Sequence, residues 1–129
     1  MTSFSTTLLV FVAAGSIWLG SARGARAEPI VVVVGKGSPV RQLSVGDLQR
    51  IFLQLPVQTS GNVPFIPFNH PPRSSVRERF DNVVLGMSPE EVARYWIDQK
   101  IRGQPAAPRT IHSPSLLCQL VARLPGAIT

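Results

Sequence analysis

The stretch "VPFIPFNHPPRSSVRERFDNVVLG", Val63 to Gly86, decides the fold, because it carries the chain from an apolar run through a proline turn into a helix. Pro64 and Pro67 cannot donate to a ladder, so VPFIPFN is expected to be a short or edge strand. Val76, Phe80, Val83 and Val84 then fall on one helical face, and Gly86 is the natural stop.

Working outward, "IVVVV" (Ile30 to Val34) is a continuous β-branched run without alternation. It reads as a central parallel strand buried on both faces, and GKGSP breaks it. Ser44 opens a helix, with Asp47 as its capping-box partner and Leu43 and Leu48 as a staple. Leu48, Ile51 and Phe52 form its buried stripe, and Leu55-Pro56 ends it. On the other side, Ser88, Pro89 and Glu91 announce a third helix whose face is Val92, Tyr95, Trp96 and Gln99. Gly103 closes it, and RTIH reads as a short strand. Ser113-Pro114 begins a fourth helix with Leu116, Leu117, Leu120, Val121 and Leu124 on its apolar side; PGAIT begins another strand. Strands and helices alternate without an internal repeat. This predicts an α/β fold: a small open, mostly parallel sheet with about four helices on its faces.

The chain has 129 residues, enough for one domain. Its first 27 read as a secretory leader, with an apolar run from Leu8 to Leu19 and Ala25-Arg26-Ala27 as a small-x-small cleavage pattern. A membrane anchor is the competing reading, but the run is shorter than the ~20 residues a span needs. Cleavage near Ala27 would release residues 28–129 to the periplasm or medium, with no membrane span left. The formal charge is +6, and Arg23 and Arg26 leave with the leader while all seven acids stay. The remaining positive charge favours anionic ligands. No Lys/Arg run or aromatic-basic stripe points to nucleic acid. The single cysteine, Cys118, excludes an intramolecular disulfide. Among apolar residues at helical spacing it reads as a buried small hydrophobe, with a reactive thiol as the alternative. No Cys/His spacing suggests a metal. No Ser-His-Asp set or phosphate loop suggests an enzyme, and no cofactor is expected.

In open α/β sheets, ligands sit outside the carboxyl ends of strands, beside helix N-termini. The stretch NHPPRSS is such a place. Ser74 and Ser75 have a plain use as caps, Ser75 with Glu78 as a capping box. They are also candidate anion ligands, since a helix start offers free N–H groups and a positive dipole end. Arg73 and Arg77 flank it and could clamp an oxyanion, although Arg77 could instead pair with Asp81 at i, i+4. Lys36 and Ser38 follow the first strand at the expected carboxyl edge, as a solvated turn or as part of the pocket. His112, before the last helix, reads as packed or hydrogen-bonded.

Three pieces in order, "LSVGDLQRIFL", "LGMSPEEVARYW" and "LPGAI", resemble the short phosphate-transporter substrate-binding-like proteins of bacteria, over nearly all of Ile30 to Ile128. These are single-lobe relatives of the periplasmic phosphate-binding protein. The resemblance implies a single lobe of the periplasmic binding protein-like fold, and a further strand after Ile128 that this chain is expected to lack. It also implies that PPRSSV stands where the larger proteins carry a phosphate-binding Asp-Gly-Ser-Gly-Thr turn. Ser74 then matches the serine, Ser75 and Val76 the glycine and threonine, Pro72 the aspartate, and His70 lies near an arginine. The threonine hydroxyl, the carboxylate and the whole first lobe are missing, which implies weak binding. The expectation is an exported, non-catalytic solute-binding-like module for a small oxyanion such as phosphate, linked to phosphate transport or sensing. The alternative is an interaction module that kept the fold, lost the ligand and contacts an envelope or transporter protein.

Overall fold

The computed structural model describes residues 28–58 and 62–129; the expected leader lies outside them. The elements run α1 (Val45–Phe52), β1 (Ile66–Asn69), α2 (Ser75–Phe80), a five-residue π turn (Asp81–Leu85), α3 (Pro89–Ile101), β2 (Arg109–Thr110), α4 (Pro114–Arg123) and β3 (Ala127–Ile128). The strands form an open parallel sheet in the order β2-β1-β3. The fold is thus α/β with four helices around a small sheet, as the alternation predicts.

The roles of the first two expected strands are exchanged. Ile30–Val34 is an irregular edge segment rather than a central parallel strand. It runs antiparallel to β3, where Val33 and Thr129 exchange backbone hydrogen bonds of 2.9 and 3.1 Å. With a neighbour on one side only, its residues alternate: Val31 is 72% and Val33 47% exposed, while Ile30, Val32 and Val34 pack on the core. The proline-bearing run is the centre of the sheet. Ile66 N–H donates to Gly126 O at 2.7 Å. Alternation then turns the Pro67 nitrogen toward β2, whose pairing starts only at Phe68–Arg109, so no bond is lost.

Two apolar layers enclose the sheet. On one face Leu48, Ile51 and Phe52 of α1 meet Val84 and Ile128, with the Phe52 and Phe80 rings 4.7 Å apart. On the other, Phe68 and Ala127 receive Leu117 and Val121 of α4. Leu116 is exposed, and so is Cys118, which the sequence reading had buried. Both fall outside the 117/121 stripe that meets the sheet.

The helix starts follow the sequence closely. Ser44–Asp47 and Ser88–Glu91 form complete capping boxes, and Pro89 and Pro114 occupy first turns. Gly86 and Gly103 stop their helices at positive φ. Gly126 answers a different need: a Cβ there would collide with the Pro64 carbonyl oxygen beside the β1–β3 crossing. Gly126→Ala is therefore expected to cost about 1–3 kcal/mol through overpacking. Urea melts should show a lower midpoint at unchanged slope.

Candidate functional site

The chain enters α2 through a tight turn. Ser74 N–H donates to Pro71 O at 3.0 Å, and the Ser74 hydroxyl donates to the same oxygen at 2.7 Å. That hydroxyl also accepts from Arg77 N–H at 3.3 Å. Ser74 is thus the N-cap, one residue earlier than the expected Ser75–Glu78 box, because the turn closed by Pro71 fixes where the helix begins.

The buried face shifts accordingly. Val76 and Val83 are exposed, whereas Arg77, Asp81 and Val84 are buried. Arg77 Nε donates to both Asp81 carboxylate oxygens, at 2.8 and 2.9 Å, and its Nη1 reaches His70 O at 3.5 Å. Of the two uses foreseen for Arg77, pairing with Asp81 is the one realised. Burial raises the Asp81 carboxyl above its ordinary value, against the lowering pull of Arg77.

Ser75 and Val76 open onto a recess of about 390 Å³ whose far wall is Glu28 to Val31. Arg79 lines it too, one helical turn after Ser75. The Arg79 Nε is buried and has no hydrogen-bond partner among the described residues. Such orphaned donors are rare in folded proteins. Arg79 was not singled out in the sequence; counting four residues on from Ser75 would have found it. Arg73 is exposed beside this helix start.

Lys36 and Ser38 lie elsewhere. Ser38 is a buried turn residue: its N–H donates to Gly35 O at 2.9 Å, its hydroxyl accepts from Val40 N–H at 3.2 Å, and its carbonyl accepts from Arg41 Nη1 at 2.7 Å. Lys36 is exposed and lines a groove beside α4. The antiparallel sense of Ile30–Val34 carries Lys36 toward the amino end of β3, not to the carboxyl rim expected of a parallel strand. His112 is exposed, and Ser113 caps α4 by accepting from Leu116 N–H at 3.2 Å. The six expected ligands therefore divide: Arg73, Ser74, Ser75 and Arg77 gather at the start of α2, and Lys36 and Ser38 do not join them.

Among the described residues no cluster of His, Cys, Asp or Glu has the arrangement of a metal site, and no helix is long and apolar enough to cross a membrane. No protein-family model, curated protein or solved structure matches the chain.

Proposed function

We propose that the chain is a non-catalytic solute-binding-like module that holds a small oxyanion, phosphate being the type case, in the recess at the start of α2. The observation that carries this reading is Arg79: its side chain lines that recess, and its Nε is buried without a partner among the described residues. A bound oxyanion would pair with the Arg79 guanidinium, and a turn of that side chain would bring the unpartnered Nε to an acceptor. Ser75 adds a hydroxyl, and the helix start adds its positive pole. Arg77 is neutralised by Asp81 and contributes position rather than charge. With one open wall the anion stays in contact with water, where charge pairing is weak and screened by salt. The module therefore binds weakly, as the resemblance implies.

Thermal unfolding with phosphate, sulfate and small carboxylates tests this. An anion at 100 times its dissociation constant should add about 2.7 kcal/mol, and Arg79→Gln should remove the effect. No stabilisation by any anion at millimolar concentration would defeat the reading. The interaction-module alternative has its own observation, the exposed Val31 and Val33 on an edge segment. It gains if the anions fail.

A further inference from the structure

A second depression runs between Val33–Lys36 and α4, with a volume of about 400 Å³. That lies within the range of small-molecule sites. One wall is the flank of α4 beside its buried stripe: Pro114, Cys118 and Ala122 are exposed there, with Leu117 and Val121 at its base. The opposite wall is Val33, Val34 and Gly35. Gly35 lies so close to α4 that a Cβ there would collide with the Val121 carbonyl oxygen, so this end of the groove is closed by backbone. His70 and Thr129 stand toward the other end, at the carboxyl ends of β1 and β3. The Thr129 hydroxyl is already committed to Phe68 O at 3.1 Å.

The lining is apolar nearly throughout; Lys36 is its one Lys or Arg, and it contains no Asp or Glu side chain. This combination selects its ligand. A bare oxyanion would have to shed water against walls that offer few hydrogen-bond donors in return. A hydrocarbon alone would make no use of the ammonium group at the rim. An amphipathic acid satisfies both.

We propose that this groove binds a small apolar carboxylate, its acid group on Lys36 and its hydrocarbon on the exposed Val33, Pro114 and Ala122. The site is independent of the oxyanion recess, from which it differs in wall chemistry and in every lining residue.

Cys118 supplies a local reporter, since it is the chain's sole cysteine, exposed, and part of the groove wall. Its alkylation by iodoacetamide can be timed with octanoate, octan-1-ol or inorganic phosphate present. Octanoate at ten times its dissociation constant should slow the reaction about tenfold by occupancy alone. Phosphate should leave the rate unchanged. Lys36→Met should raise the octanoate concentration for half-protection about threefold to fivefold, the scale of one exposed charge pair, and leave that for octan-1-ol unaltered. Lys36 is exposed, so its replacement does not threaten folding, and the wild-type rates stand without any variant. The proposal is overturned if octanoate gives no protection. It is equally overturned if octan-1-ol protects as well as octanoate at equal concentration, or if Lys36→Met leaves octanoate protection unchanged.

Discussion

Arg77→Met should destabilise the protein by about 3–5 kcal/mol, because it strands a buried carboxylate without its partner. The Arg77 and Asp81 side chains are only 10% and 4% exposed, so water cannot take over the lost hydrogen bonds. The loss will depend on pH. Burial already raises the Asp81 carboxyl from its ordinary 3.8, and in Arg77→Met nothing opposes that rise. A carboxyl whose folded value exceeds its unfolded one holds protons better when folded. Its contribution to stability is complete below 3.8 and is lost as pH rises through the raised value. The penalty of Arg77→Met should therefore be largest near neutrality and shrink on acidification. Denaturant melts across that range would check it; a penalty that grew toward acid would contradict the pairing. The double variant Arg77→Met with Asp81→Leu should recover most of the loss, since a well-packed apolar pair can replace a buried ion pair at little cost.

Ile128→Ala should have a comparable effect, about 2–5 kcal/mol. Ile128 is fully buried (0% exposed) and sits where α1, the π turn and the edge segment converge. Its backbone faces β1 on one side, in register with Pro67, and Val34 on the other. Truncation would open a cavity where these three elements meet. For a domain near 100 residues each kcal/mol moves the melting midpoint by about 4–8 °C, so calorimetry resolves it readily. Leu116→Ala on the exposed side of α4 serves as the contrast and should change the midpoint little.

The helices were legible because their signals are local. Ser44 with Asp47, Ser88 with Glu91, and Gly86 each act within a few residues, and each does what its spacing foretold. Strand order was not legible, because it depends on partners far along the chain. IVVVV has the composition of a central strand, yet among the described residues only β3 pairs with it. IPFN has a proline that argues for an edge, yet its nitrogen falls one residue before the β2 pairing starts. The site was legible in part for the same reason. The helix start after Pro72 was locatable from PPRSS. Which arginine would be spent internally was decided by the burial of Asp81, and Arg79 emerged only once Glu28 to Val31 were seen to face it.

The five residues after α2 bear on how this helix points. The Gly86 N–H reaches back to Asp81 O, and the Gln49 side chain donates to Val84 O at 2.7 Å, so a widened turn is pinned at its end. A widened turn holds one residue more than a regular one, and each residue of an ordinary helix advances its direction by about 100°. The turn, which carries the core-packed Val84, is therefore a phase shifter relative to the recess-lining Ser75 and Arg79 upstream. Losing a single residue here would leave the helix intact but swing that upstream pair around its axis, so length, more than composition, governs the aim of this segment.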